Sequence, residues 1–124
     1  ADKYHKPLFY LPGNNDGLAG DYYSFADEQQ KTPFSLVADS SNSFPALNIN
    51  PGKIKAPCIV ANPHPTMGYY AARPVNGLRL ISLNTVMYNH NFQAVDGTQQ
   101  QPDGDTQMAW LASQLAEAKA QKVA

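Results

Sequence analysis

Asn76-Gly77 stands between two runs of β-forming residues, Tyr69-Tyr70-Ala71-Ala72-Arg73-Pro74-Val75 and Leu78-Arg79-Leu80-Ile81-Ser82-Leu83. Asn-Gly between such runs is among the strongest short hairpin signals, because both central residues of the favoured turn need positive φ. The chain is thereby committed to an antiparallel pair, around which the rest must pack. Side chains alternate along a strand, so Leu78, Leu80 and Ser82 are expected on one face, with Arg79, Ile81 and Leu83 on the other. Tyr69 and Tyr70 read as core and rim of a strand rather than as a substrate platform. Arg73 and Arg79 have the chemistry to contact phosphate, and on a hairpin they are expected to face solvent.

The chain's second regular element lies near its end. Asp103-Gly104-Asp105 leads into Met108, Trp110, Leu111, Leu115 and Ala118 at helical intervals. Acidic residues at the start and Lys119 and Lys122 near the end suit the helix dipole. This predicts an amphipathic helix laid against a sheet, structural in role. Elsewhere the signals are shorter. Residues 7–12, apolar and aromatic between Pro7 and Pro12, read as a buried strand. Residues 21–30 suggest a helix with Tyr22, Phe25 and Ala26 on one face, and Thr32-Pro33 suggests the start of a second short helix. Residues 40–65 hold too many prolines, asparagines and serines for long regular elements, and read as loop.

With 124 residues the chain suffices for a single modest domain that buries about two thirds of its unfolded surface. Nine basic and ten acidic side chains leave a formal charge of -1, so no electrostatic footprint for nucleic acid or an anionic membrane exists. No apolar run approaches the roughly 20 residues that span a bilayer. The lone Cys58 has no internal partner. It is either a buried small apolar residue or half of a bridge to another chain. A start at Ala1 without methionine suggests a processed or excised chain.

The segment richest in chemistry is Gly13-Asn14-Asn15-Asp16-Gly17, which follows the apolar run Leu8-Phe9-Tyr10-Leu11-Pro12. Two carboxamides and a carboxylate at a strand end can help to hold a divalent metal, because the carboxamide oxygen of Asn14 is a neutral hard donor. Asn15 can donate to a phosphate oxygen, but its amide does not titrate and cannot supply a proton. Asp16 can orient Asn15 or satisfy backbone amides. The same residues also make plain turns, since they tolerate left-handed backbone and bond to their own chain. Of the histidines, His5 reads as exposed, His64 sits in a proline-bound loop that could overhang a pocket, and His90 follows a strand end where it could face substrate. No two have the local spacing of a preformed zinc site.

The strand ending in Gly13-Asn14-Asn15-Asp16 resembles a signature block of the calcineurin-like metallophosphoesterases, where Gly-Asn-His-Asp or Gly-Asn-His-Glu is usual. Three further stretches, Gly68-Tyr69-Tyr70-Ala71, Gly77-Leu78-Arg79-Leu80-Ile81-Ser82-Leu83-Asn84 and Met87-Tyr88-Asn89-His90-Asn91-Phe92, resemble the acid sphingomyelinase-like branch in order and spacing. Gln107-Met108-Ala109-Trp110-Leu111 with Gln114, Leu115 and Ala118 is similar to that branch's helix before its late histidine loops. The resemblance implies an α/β fold, namely part of a β-sandwich flanked by helices, with a β-hairpin and a C-terminal amphipathic helix. It implies a two-metal phosphoesterase (Zn, Mn or Fe) in which a bridging water or hydroxide attacks phosphorus.

Carried over by position, Asn14 matches a metal ligand, and Asn15 stands where a histidine usually contacts the scissile phosphate. Asp16 completes the motif as a further candidate catalytic residue. The family's Asp-x-His, Gly-Asp, Gly-His and Gly-His-x-His blocks have no match within residues 1–124. The expectation is therefore a single partial domain, an internal fragment of a longer phosphoesterase and inactive alone. Its parent would act on a phosphodiester, phosphomonoester or polyphosphate, and exposed core surface would favour homo-oligomers. The resemblance leans toward a secreted or periplasmic protein. The alternative is a non-catalytic α/β binding or structural module whose Asn-Asn-Asp turn is only a turn.

Overall fold

The computed structural model describes residues 9, 11–29, 31, 59–61, 63, 64, 66–94 and 100–124, with residues 59 and 100–102 described by backbone alone. The expected strand over residues 7–12 and helix from Thr32 fall largely or wholly outside these residues, as do His5 and Cys58. The described part is an α/β arrangement of a three-stranded antiparallel sheet and a C-terminal helix. The strands are β1 (Ile59–Ala61), β2 (Tyr70–Val75) and β3 (Leu78–Ser82), in the order β1-β2-β3, followed by a 3-10 helix (Thr85–Tyr88) and α1 (Gln100–Gln121).

The hairpin forms where Asn76-Gly77 places it, pairing Tyr70 with Ser82, Ala71 with Ile81, Ala72 with Leu80 and Val75 with Leu78. Between the last two pairs the register shifts, so Arg73 and Pro74 stand opposite Arg79 alone. A bulge tolerates Pro74, which has no N–H to give the ladder. At the turn only Gly77 is left-handed, at φ 79°, which corrects the expectation that Asn76 would be so too. The bulge supplies local twist, and Asn76 avoids the cost its Cβ would meet at positive φ.

β1 lies inside the stretch read as loop. Its pairing of Ile59 with Ala72 and Ala61 with Ala71 gives those residues the partner that their own composition does not reveal. The helix expected over residues 21–30 does not form in 21–29. Tyr22 is left-handed at φ 63°, and the segment's amides go elsewhere. Ser24 N–H donates to Gln93 O at 3.0 Å, and Gln93 N–H to Tyr22 O at 2.9 Å. Asp27 Oδ1 accepts from the N–H groups of Gln29 and Lys31 at 2.9 and 2.8 Å, closing a turn where a helix would have continued.

The sheet separates two apolar clusters. On one side Phe25, Tyr70 and Ala72 are buried, with Phe9 and Leu80 packed against them. On the other, Tyr69, Met87 and Phe92 are buried against Met67, Val86, Ala94 and Trp110, with the Tyr69 and Trp110 ring centres 5.0 Å apart. Gly68, at φ 83°, lets the chain enter β2 with Phe25 and Pro12 pressed against it; a Cβ there would sit 3.2 Å from Phe25 Cγ.

Helix α1 begins ahead of Asp103 and packs on the 3-10 helix and β3. Pro102 in its first turn is harmless, because those N–H groups have no intrahelical acceptor. Its buried stripe is Gly104, Gln107 and Gln114, with Leu111 and Ala118 beside it. Met108 and Leu115, expected on the buried face, are 53% and 56% exposed. They lie about 100° around the helix from the two buried glutamines.

The helix closes with Lys122 at φ 54°. Val123 N–H donates to Ala118 O and Lys122 N–H to Lys119 O, the Schellman arrangement. Ala124 then lies along β3, its N–H donating to Gly77 O at 3.0 Å and its carbonyl accepting from Arg79 N–H at 2.7 Å.

Candidate functional site

The turn at residues 13–16 closes on itself. Asp16 Oδ2 accepts from Gly13 N–H at 2.6 Å, and Asp16 N–H donates to Gly13 O at 3.2 Å. Asn14 Nδ2 donates to Asn15 Oδ1 at 2.8 Å, so the Asn14 carboxamide presents its own oxygen away from that bond. Asn14 O accepts from Tyr22 N–H at 2.7 Å, which folds the following segment back over the turn. Gly17 allows this return. A Cβ there would lie 2.9 Å from Ser24 O and 3.1 Å from Tyr23 O, both backbone atoms.

Beside the turn lies an open cleft of about 270 Å³, lined by Pro12, Gly13 and Asn14, by Tyr22, and by Thr85, Val86 and Asn89. Residues some seventy positions apart thus share one concavity. Asn14 lies in its wall; Asn15 and Asp16 are next to it in the turn but do not line it. His90 follows the lining residue Asn89 and is exposed, whereas His64 meets Tyr69 edge-on with ring centres 5.9 Å apart.

A buried polar network fixes the wall that faces Asn14. Gln107, wholly buried, accepts from Asn84 N–H at 2.7 Å and donates to Asn84 O at 3.0 Å, pairing with that backbone as a neighbouring strand would. It also donates to Tyr88 Oη at 2.9 Å, and Tyr88 Oη donates to Gly104 O at 3.0 Å. The Asn84 side chain donates to Met67 O and accepts from Val86 N–H, capping the 3-10 helix. Every polar atom of the Gln107 carboxamide is therefore used, which makes its burial tolerable. Asn84 and Gln107 lie in the family-like stretches with no role expected from the sequence; a glutamine at a helical core interval is the one signal there.

Arg79 has neither of its expected fates. Its side chain is 4% exposed and binds Glu117 Oε2 at 2.8 Å, Gln114 Oε1 at 3.0 Å and Gln121 Oε1 at 3.0 Å, tying β3 to α1. That hydrogen bond first, and the guanidinium charge second, hold the Glu117 carboxyl below its usual 4.5. Arg73 is exposed at the bulge. Tyr69 is pushed up to about 12, mainly by burial and then by Tyr88 and Asp103, and stays neutral through the ordinary pH range.

Among the described residues no group of three or more His, Cys, Asp or Glu gathers at one place. Asn14 lines the cleft and carries one neutral hard oxygen, a single donor where a divalent metal takes several.

Comparison with known proteins gives one partial likeness. Over 52 residues the chain is 44% identical to a sphingomyelinase phosphodiesterase D of Dictyostelium discoideum, a match that covers 42% of this chain and 11% of that protein. The likeness points to a phosphodiesterase-like hydrolase and to nothing finer. No protein-family model and no solved structure matches the chain.

Proposed function

We propose that the chain is one corner of a metal-dependent phosphodiesterase, with Asn14 a ligand of one of two divalent ions and Asn15 beside the scissile phosphate. In this reading the sheet and α1 belong to a calcineurin-like β-sandwich, and a longer chain supplies the remaining ligands. The observation that carries it is the cleft, where the Gly-Asn-Asn-Asp turn meets Asn89, from the family-like stretch Met87–Phe92, and Thr85 and Val86 just before that stretch. The partial likeness to a phosphodiesterase agrees with it. The chemistry that a bound metal pair would supply is activation of water as the nucleophile and stabilisation of phosphoryl charge, with Asn14 the one residue of this chain that would hold it. The chain's own part is to hold Asn14 in place through Asp16 and Tyr22, and to hold the facing wall through Asn84 and Gln107. Asn15 cannot protonate a leaving group, so that proton comes from another residue or from water.

A second reading has an observation of its own. The Asp16–Gly13 and Asn14–Asn15 bonds are what a self-contained turn makes, as in a binding or structural module.

Hydrolysis of bis(p-nitrophenyl) phosphate with added Mn²⁺ or Zn²⁺, measured on the full-length protein and on the 124-residue chain, separates the two. The proposal expects turnover in the full-length protein, none in the isolated chain, and a loss of about 10²-fold or more in Asn14→Ala. Undiminished turnover in Asn14→Ala rejects the ligand, and absence of turnover in the full-length protein favours the module.

A further inference from the structure

Tyr22 combines three features: an aromatic side chain, a left-handed backbone at φ 63°, and a place in the wall of the Asn14 cleft. A glycine would take this backbone without strain, so the side chain is not there to serve the turn. The strained conformation is held from both sides, since Tyr22 N–H donates to Asn14 O and Tyr22 O accepts from Gln93 N–H. Tyr22 is thereby coupled to the turn that carries the candidate ligand and to the segment that follows the 3-10 helix.

The cleft's chemistry is uncharged. None of its lining residues is a lysine, arginine, histidine, aspartate or glutamate. Arg79, the hairpin's most buried cation, is spent on Glu117, Gln114 and Gln121. A polyphosphate chain entering this cleft would leave water and counterions and meet no cationic side chain among the lining residues, so that the metal ions of the reading above would face its several charges alone. An uncharged organic group would instead meet Tyr22, Pro12 and Val86. We propose that Tyr22 is the specificity-determining residue of the cleft, holding the uncharged organic group of a phosphodiester beside Asn14. The proposal rests on the phosphodiesterase reading above.

The test uses the full-length protein with added Mn²⁺, and compares bis(p-nitrophenyl) phosphate with inorganic tripolyphosphate. Tyr22→Gly and Tyr22→Asn both accept positive φ and lose the phenol ring. Each is expected to raise KM for the diester by about tenfold with kcat changed by less than about twofold, and Tyr22→Phe to stay within about twofold of wild type in both. The melting temperature of Tyr22→Gly should not fall, because strain is relieved. An unchanged diester KM in either folded variant overturns the proposal, as does wild-type preference for tripolyphosphate. If Asn14→Ala abolishes turnover while Tyr22→Gly leaves KM unmoved, the Tyr22 role alone fails. If Asn14→Ala leaves turnover intact, the underlying metal-ligand reading fails whatever Tyr22 does.

Discussion

At Lys122 and at Gly104 single atoms decide the outcome of a substitution. Lys122 closes α1 at φ 54°, a conformation that costs a non-glycine residue about 1 kcal/mol. Lys122→Gly should therefore raise stability by about 0.5–1 kcal/mol, read as a higher denaturant midpoint at constant slope. A lower midpoint would show that the lysine side chain contributes more than the backbone loses. Gly104 is the opposite case. A Cβ there would stand 2.9 Å from Tyr88 Cε1, and Tyr88 is held by its bonds to Gln107 and Gly104 O. Gly104→Ala should cost about 1–3 kcal/mol and loosen the 3-10 helix, although alanine favours helix elsewhere. Neither result is readable from composition. Gly104 looks like a helix breaker in sequence, and its reason is a ring sixteen residues earlier.

Between elements, the β3–α1 junction carries a pH signature. The Arg79 guanidinium holds Glu117 below 4.5, so folding favours the ionised carboxylate. The pair's contribution is complete above the unfolded value and is lost as pH falls through the lower folded one. Glu117 is half exposed, so the effect is modest and weakens with salt. Arg79→Met should abolish this acid-side loss and lower stability at neutral pH by about 1–3 kcal/mol, because buried Gln114 Oε1 loses its donor. Unchanged acid unfolding in Arg79→Met would refute the linkage.

Tyr69 acts at the alkaline end. Its folded value near 12 exceeds the ordinary 10, so its contribution is complete below pH 10 and is lost as pH rises toward 12. Tyr69→Phe should be less sensitive than wild type across that window.

The hairpin was legible because Asn-Gly and strand alternation are local signals. The helix's existence was legible for the same reason, but its buried face was not. Gln107 and Gln114 turn inward because Asn84 and Arg79, 23 and 35 residues away, satisfy them. Residues 21–29 failed as a helix because Asn14 and Gln93 take their backbone groups.

Over the whole molecule, apolar surface remains outside. Leu11, Val60, Val75, Leu78, Met108 and Leu115 are each more than 40% exposed. This fits the proposal that the sheet and helix are one part of a larger hydrophobic assembly. The isolated chain should self-associate with rising concentration, seen as increasing mass in sedimentation or light scattering; a monodisperse monomer would argue against it. No described helix is long and apolar enough to cross a membrane. The candidate site was legible at Asn14, since its turn chemistry and family-like setting lie in five consecutive residues. The facing wall at Thr85–Asn89 and the place of Tyr22 were not, because only the fold brings them to the turn.

The central claim is that Asn14 binds a metal in the intact protein. Elemental analysis of the purified full-length protein, wild type against Asn14→Ala, tests it without relying on turnover. The account predicts about two equivalents of divalent metal in wild type and about one in a variant that remains folded. Equal metal content in the two proteins would contradict it.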